Sequence, residues 1–197
     1  MIRLTAAALL AFGVTSAAPA SQEPPPTKVV RFVVAPEDLG RAPVNGACSL
    51  PSTAAWFRDD AMACRTQTAS YDPCFVTPRE HVVLCVTDPR SEAGRLTLKM
   101  TSAPARQQPA ARPVHRAWFF ELVDGTTCRP LPGPGREVEG QVELYECKWG
   151  TEGSADAAFG ELDPRTAVWA ISKIKINKMQ PLSFKWSASM AVKTVWQ

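Results

Sequence analysis

The sequence has few of the residues that acid–base and metal chemistry use most. Its 197 residues include two histidines, His81 and His115, which lie far apart in the chain. There is no G-x-S-x-G nucleophile elbow and no H-E-x-x-H zinc motif, and Gly133 and Gly135 lack the third glycine of a dinucleotide-binding turn. Each histidine is more typical of a surface position than of a catalytic one. The sequence therefore predicts no catalytic residue and no cofactor, and it favours a non-enzymatic protein.

Long apolar runs are also missing, except near the N-terminus. The apolar stretch at 4–14 follows one basic residue and is too short to span a bilayer as a helix. Small residues come next, and Ala18-Pro19-Ala20 fits an A-x-A cleavage site. We therefore predict a secretory signal peptide over 1–20, cut after Ala20, with Ala17 as the alternative. The mature chain is expected to carry no transmembrane segment and to be secreted or periplasmic.

The chain has no C-x-x-C pair, but it has six cysteines, all after the predicted signal peptide: Cys48, Cys64, Cys74, Cys85, Cys128 and Cys147. An even number of cysteines in an exported chain predicts disulfides, and six allow fifteen pairings. We favour the most local scheme, in which each pair brackets one loop or hairpin: Cys48–Cys64, Cys74–Cys85 and Cys128–Cys147. A metal site is not predicted, because structural zinc sites usually show closer ligand spacing.

The remaining sequence predicts a polar, flexible leader at 21–27 and one β-rich domain at 28–197. Runs of β-branched and aromatic residues alternate with proline- and glycine-rich turns, which is typical of strands. Asp124-Gly125 indicates a two-residue hairpin turn. One short helix is predicted at 51–65, with Ser52 as its cap. The predicted fold class is mainly β, an antiparallel sandwich or partly open barrel with one short helix and disulfide-tied loops.

Two strand patterns lead to specific expectations about which side chains are buried. In the strand predicted at 136–147, Val138, Val142 and Leu144 alternate with polar residues, so Glu143 is expected to face water. The last two predicted strands lie at 167–177 and 182–196. The second of these keeps a period of two for fifteen residues.

Positive charge is concentrated at the C-terminus, since residues 165–197 carry six basic side chains and no acidic one. One interpretation is an anion-binding face made of lysines on the last hairpin: Lys173, Lys175, Lys178, Lys185 and Lys193. Such a face would suit an anionic polymer or a membrane surface. Nucleic acid is not expected, because Trp186 shares a face with the apolar residues of its strand, opposite the lysines, and would not stack on bases there. The structural alternative is that these lysines pair with outward glutamates of 137–143 on a neighbouring strand.

Several residue groups together resemble a known family. They are G-A-C-x-x-P-S-x-A-A-x-x-R-x-D-A-x-x-C at 46–64, D-P-C-F at 72–75, V-L-C at 83–85, W-F-F-E-L-V-D-G-T-T-C at 118–128 and V-E-L-Y-E-C at 142–147. The pattern resembles a family of secreted, cysteine-bearing bacterial proteins of unknown function. The resemblance implies export, a single β-rich module and cysteines at these six places, and it implies no reaction. This chain has M-A-C where members typically carry W-R-C, so a site built on that aromatic–arginine pair is not expected here.

These observations lead to one main hypothesis and two alternatives. The main hypothesis is a secreted, disulfide-stabilised β module that binds an envelope or extracellular partner, such as an anionic envelope polymer or a secreted protein. The first alternative is a small secreted hydrolase that uses carboxylates, or His81 with a nearby acid. The second is an inhibitor of an extracellular enzyme that presents the disulfide-braced loop 75–84.

Overall fold

The computed structural model describes residues 23–39, 42–101, 117–131, 135–149, 154–177 and 183–197, with the backbone alone at 148–149, 154–156, 175–177 and 183–188. The strands of this part of the chain are β1 (Lys28–Val30), β2 (Val44–Asn45), β3 (Ala47–Pro51), β4 (Ala61–Arg65), β5 (Ser70–Val76), β6 (Val82–Val86), β7 (Arg95–Lys99), β8 (Phe119–Leu122), β9 (Thr127–Pro130), β10 (Glu137–Val138), β11 (Gln141–Trp149), β12 (Ser154–Phe159), β13 (Ala170–Asn177) and β14 (Ser183–Trp196). Two 3-10 segments, Pro36–Leu39 and Glu92–Gly94, are also present. No helix within these ranges is long and apolar enough to cross a membrane.

The C-terminal strands form a closed six-stranded barrel. The pairing order is β8-β9-β11-β12-β13-β14, and β14 pairs again with β8, which closes the sheet. Strand β1 runs parallel to the end of β14, and β10 pairs with β11. Phe120, Tyr145, Ile171 and Val192 are among the buried residues that fill this barrel. Closure leaves these six strands without a free edge over their paired length.

The N-terminal strands form a half-barrel whose first and last strands are consecutive in the chain. Its order is β2-β7-β6-β5-β4-β3, and only Gly46 separates β2 from β3. The Gly46 amide donates to the Lys99 carbonyl at 3.0 Å. A Cβ at Gly46 would lie 3.1 Å from both the Arg65 carbonyl oxygen and Leu98 Cδ1. Glycine suits this position because the chain passes here from one edge strand to the other, and a side chain would crowd both Arg65 and Leu98.

An aromatic cluster packs the barrel against the half-barrel. Trp118, beside β8 of the barrel, has its ring centroid 5.3 Å from that of Phe75 in β5 and 5.4 Å from that of Phe32. Phe119 and Ala55 also belong to this buried cluster. The cluster joins the two sheets into one body, because it draws residues from both and from the segment after β1.

The signal peptide predicted at 1–20 lies outside the described residues. The leader predicted at 21–27 ends in an anchored residue, because Thr27 belongs to the barrel's hydrogen-bond network. Its hydroxyl donates to the Val192 carbonyl at 2.7 Å and accepts from the Trp169 amide at 2.8 Å.

The mainly β class predicted from the sequence is confirmed. The prediction left a sandwich and a partly open barrel as alternatives; the structure has a closed barrel and a half-barrel, and the sandwich and the helix are not confirmed. Within 51–65, residues 54–57 and 59–60 form turns, and Ala61–Arg65 is strand β4. The Ser52 hydroxyl accepts from the Ala55 amide at 2.8 Å, as a cap does, but no helix continues. The alanines of this stretch favour a helix in isolation. Pairing of β4 with β3 and β5 overrides that preference.

The two-residue turn predicted at Asp124-Gly125 is found at a different hairpin of the barrel. The β8–β9 hairpin forms where Asp124-Gly125 predicts it, but of that pair only Gly125 has a positive φ, and the Leu122 amide donates to the Thr126 carbonyl at 2.8 Å. The two-residue turn in which both residues have positive φ occurs at Glu139-Gly140, between β10 and β11. The stretch predicted as one strand at 136–147 is therefore a tight hairpin.

Burial along β11 is the reverse of the expected pattern. Glu143 is 4% exposed and Val142 is 44% exposed, so the predicted inward and outward faces of this strand were wrong. Arg136 compensates the buried carboxylate, since its Nε and Nη2 lie 2.7 and 3.0 Å from the two Glu143 oxygens. The inward face also carries Tyr145 and Cys147. Closure of the barrel and the position of the Cys147 disulfide decide which face points inward.

Three disulfides are present, and they are those of the most local pairing scheme: Cys48–Cys64, Cys74–Cys85 and Cys128–Cys147. Each links residues that stand directly opposite each other on paired antiparallel strands. Their Cα atoms are 4.1, 3.8 and 4.0 Å apart in that order. Two of the links brace the half-barrel and one braces the barrel.

Candidate binding cleft

Two lysines of the predicted anion-binding face are occupied by acidic partners. Lys173 Nζ lies 2.8 Å from Asp124 Oδ2, and the Lys173 side chain is 13% exposed. Lys193 Nζ lies 3.2 Å from Glu121 Oε1. These acids belong to the β8–β9 hairpin, not to the glutamates of 137–143 that the structural alternative named. Both lysines therefore contribute to the barrel wall as ion pairs.

The other three lysines of the predicted anion-binding face have side chains outside the described set. Lys175 and Lys185 stand opposite each other in the β13–β14 backbone pairing, and their side chains lie outside the described set. Lys178 lies outside the described residues altogether.

The Lys173–Asp124 contact keeps the carboxylate ionised. Burial by itself would raise the pKa of Asp124, but hydrogen bonds from Lys173 and Thr126 outweigh it, so the pKa lies below its usual value. A depressed carboxyl pKa contributes stability above the unfolded-state pKa, which is lost as the pH falls through the folded value. This pair therefore stays intact at neutral pH and loosens only in acid.

His81 and the loop predicted to present an inhibitory surface form a compact turn. The predicted loop 75–84 is mostly strand, with only residues 77–81 between β5 and β6. The Thr77 hydroxyl lies 2.9 Å from the Val82 carbonyl and closes this turn. His81 has a φ of 59°, and its Nε2 lies 3.3 Å from Glu80 Oε1. Among the described residues, the acid found next to this histidine is Glu80, whose carboxylate is exposed.

A concave site lies between the half-barrel and the barrel, with a volume of about 450 Å³. One wall comes from β3, β4 and β5 and includes Leu50, Arg65 and Tyr71. The opposite wall comes from β9 and β11 and includes Arg129 and Glu146. Sites of this size commonly hold small ligands or parts of larger ones. We call this site the inter-sheet cleft.

Asp72 forms the fixed end of the cleft. Its carboxylate accepts from the Ser52 hydroxyl, from the Thr53 amide at 2.9 Å and hydroxyl at 2.6 Å, and from the Ala54 amide at 3.3 Å. This side chain holds the turn after β3 against β5. Both Asp72 and Pro73 lie inside β5. Asp72 therefore determines the form of the cleft by fixing the position of the turn after β3.

Within the part of the chain that the structure describes, one arginine of the cleft has an acidic partner and the other has none. Arg65 is exposed at the end of β4, and no ion pair of its guanidinium is found among the described residues. Across the cleft, Arg129 Nε lies 2.5 Å from Glu146 Oε1, its cross-strand neighbour. Leu50, which is 64% exposed, supplies apolar surface on the same wall as Arg65. The cleft therefore combines an available cation with a hydrophobic contact.

Two smaller cavities adjoin the cleft. One, of about 200 Å³, shares Thr53, Ala54 and Pro130 with it. The other, of about 220 Å³, shares Arg129 and Glu146. We call these three neighbouring cavities the groove. A set of adjoining cavities suits an elongated ligand better than a compact one.

The carboxylates around the groove are poorly placed for acid–base catalysis. Asp72 and Glu146 both line the cleft, but Asp72 accepts four hydrogen bonds and Glu146 is paired with Arg129. A general acid at neutral pH needs a raised pKa. A hydrogen bond from Arg90 instead lowers the pKa of Asp88, which lines the adjoining cavity. The arrangement supports binding more directly than hydrolysis.

The arginines of the cleft were missed by the sequence reasoning, although a signal was present. Arg65 and Arg129 each follow a cysteine, Cys64 and Cys128. Side chains alternate between the two faces of a strand, so a residue after an inward cysteine points outward. Tertiary structure was still required to show that these two strands face each other.

The cysteines hold no free thiolate in this state. The sulfur atoms of Cys64, Cys74 and Cys85 lie within 4.8 Å of one another, which is a spacing suited to metal ligands. All three take part in disulfides, and no free cysteine is present. Metal ligation by cysteine requires the deprotonated thiol.

When compared with known proteins, the chain matches no family model, no curated protein and no solved structure. The function is therefore inferred from the geometry of the inter-sheet cleft.

Proposed function

We propose that this protein is an exported, disulfide-stabilised β module that binds an elongated anionic ligand in the inter-sheet cleft. The observation that carries the proposal is the guanidinium of Arg65, which has no acidic partner among the described residues, together with exposed Leu50 in a cleft of about 450 Å³. Arginine recognises carboxylate and phosphate groups through paired N–H donors. The resemblance to secreted, cysteine-bearing bacterial proteins remains part of this proposal.

Export is supported by two independent features. The sequence at 1–20 has the pattern of a signal peptide. Three disulfides with no free cysteine are typical of an oxidising compartment outside the cytoplasm. An extracellular or periplasmic location would place the cleft among envelope polymers and secreted proteins.

The charge distribution of the cleft selects the ligand class. The lining carries two arginines and two carboxylates, but the Asp72 oxygens are occupied by hydrogen bonds from Thr53 and its neighbours, and Glu146 pairs with Arg129. Arg65 is therefore the charged group that is left to contact a ligand. An acidic group of the ligand would bind Arg65, and an apolar ring or aliphatic face would cover Leu50. An envelope polymer with repeated carboxylates, or an acidic segment of a secreted protein, has both features.

Replacing Arg65 with glutamine is expected to weaken binding of an anionic polymer about tenfold, because one charge-assisted contact is lost. The probes are immobilised polygalacturonate and poly-glutamate, with dextran and poly-glutamine as neutral counterparts. Binding is measured as a dissociation constant at low and at physiological salt. Higher salt is expected to weaken binding of the unaltered protein, because exposed charges are screened.

The matched control is Arg79→Gln, which removes the same charge from the exposed turn between β5 and β6, away from the cleft. Lys193→Gln tests the alternative lysine face. Equal losses for the cleft variant and the Arg79 control would mean that net charge alone drives binding, and the proposal would then be abandoned. Failure of both anionic polymers to bind more tightly than their neutral counterparts would also remove it.

A further inference from the structure

Four cysteines stand on four neighbouring strands of the half-barrel. Cys48, Cys64, Cys74 and Cys85 belong to β3, β4, β5 and β6, which pair in that order. The sulfur atoms of Cys64, Cys74 and Cys85 lie within 4.8 Å of one another. The Cys48–Cys64 and Cys74–Cys85 disulfides are therefore neighbours. Of the first pair, Cys64 is the one whose sulfur lies close to both sulfurs of the second pair.

The two disulfides differ in accessibility. Cys48 is half-buried on the outermost strand β3, most of whose residues are exposed. Cys74 and Cys85 are 0% and 1% exposed, and Cys64 is 4% exposed. An external thiol thus reaches the first disulfide at Cys48, while the second is shielded from direct attack.

We propose that these two disulfides form a thiol–disulfide exchange couple in which Cys64 passes the reaction from the surface into the core. A low-molecular-weight thiolate attacks Cys48 Sγ and forms a mixed disulfide there. The Cys48–Cys64 bond breaks, and its electron pair leaves on Cys64 as a thiolate. That thiolate attacks Cys74 or Cys85, a new disulfide forms, and the other sulfur leaves as the product thiolate.

This series of exchange steps needs no net oxidant or reductant. One thiolate enters and one thiolate is produced, while the number of sulfur–sulfur bonds stays constant. Exchange requires direct access of the attacking sulfur to the disulfide. Cys64 has this access through proximity. The inference does not depend on ligand binding in the inter-sheet cleft.

The direct experiment starts the second step without any external thiol. Cys48→Ala leaves Cys64 as a free thiol in an otherwise oxidised chain. After incubation at mildly alkaline pH, the protein is quenched in acid, denatured and alkylated, and the labelled cysteines are mapped by peptide mass spectrometry. We expect roughly two thirds of the label on Cys74 and Cys85 together, since exchange redistributes the thiol among three close sulfurs.

Cys64→Ala is the matched control. It frees Cys48, whose sulfur is not in the close group, so the label is expected to stay on Cys48. Cys128 and Cys147, which pair with each other in the barrel, serve as internal references and should remain unlabelled in both variants. Label confined to Cys64 in the Cys48→Ala protein after hours of incubation would overturn the proposal.

A second measurement keeps the test valid if the cysteine variants do not fold. The unaltered protein is treated with glutathione under native conditions, and the products are mapped in the same way. The expected product carries glutathione on Cys48 and a bond from Cys64 to Cys74 or Cys85. Glutathione on Cys48 together with a free thiol at Cys64 and an intact Cys74–Cys85 bond would refute the relay.

Discussion

Replacing Trp118 with alanine is expected to lower the free energy of unfolding by about 4 kcal/mol. The side chain is 1% exposed and lies among the aromatic rings that join the barrel to the half-barrel. Its removal leaves a cavity bordered by Phe32 and Phe75, whose ring centroids are 4.9 Å apart. Rings already in mutual contact have little freedom to fill the space. Urea or guanidinium unfolding, followed by fluorescence and circular dichroism, measures the effect.

The informative control is Trp118→Phe. Trp118 Nε1 is buried and has no hydrogen-bond partner among the described residues. Phenylalanine removes this unpaired donor, which is favourable, and leaves a smaller void, which is unfavourable. The two effects oppose each other, so we expect a stability within about 1 kcal/mol of the unaltered protein. If the phenylalanine variant lost as much stability as the alanine variant, the indole N–H would have to be engaged.

Replacing Arg58 with alanine is expected to cost about 3 kcal/mol, because the partly buried Asp60 carboxylate and the Phe32 carbonyl lose their donor. The Gln197 carbonyl keeps the Phe32 amide as a donor, at 2.9 Å. Arg58 forms a two-point contact with Asp60, through Nε at 2.7 Å and Nη2 at 2.6 Å. Its Nη1 donates to the carbonyls of Phe32 at 2.7 Å and Gln197 at 2.9 Å. The guanidinium carbon also lies 4.6 Å from the Phe75 ring centroid. One side chain thus ties the half-barrel to both the segment after β1 and the residue after β14.

The chain offers a close control for this change. Arg165 forms the same kind of two-point contact with Asp163, also two residues away, but its side chain is 86% exposed. Arg165→Ala is therefore expected to leave the unfolding midpoint unchanged, since exposed ion pairs contribute little. Arg58→Lys keeps the charge but loses the planar fork, and should give an intermediate loss of about 1.5 kcal/mol. Equal midpoints for the two alanine variants would show that burial of Arg58 has no energetic consequence.

These two positions bear on function because the cleft has one wall on each sheet. Arg65 and Leu50 lie on the half-barrel, whereas Arg129 and Glu146 lie on the barrel. Their separation is set by contacts elsewhere, chiefly the Trp118 cluster and the Arg58 hydrogen bonds. A rigid junction reduces the ordering cost of binding. Stability at the junction and affinity in the cleft are therefore expected to change together.

Local sequence determined the β-rich character and the cysteine links of this protein. Runs such as the one around Cys85 are too short and too β-branched for helices, and they form strands in the structure. The pairing of Cys74 with Cys85 follows because a hairpin brings its two strands into direct opposition. The last hairpin lies close to its predicted limits, since a period of two over many residues has a single local solution.

Tertiary structure alone decided the features on which function depends. The alanines before Cys64 favour a helix locally, but β4 forms because both neighbouring strands pair with it. Glu143 points inward because barrel closure selects the face of β11, and Arg136 makes that burial tolerable. Arg65 and Arg129 are 64 positions apart in the sequence, and no local sequence pattern predicts that their strands face each other. Local preferences act over a few residues, whereas the cleft arises from the packing of two sheets.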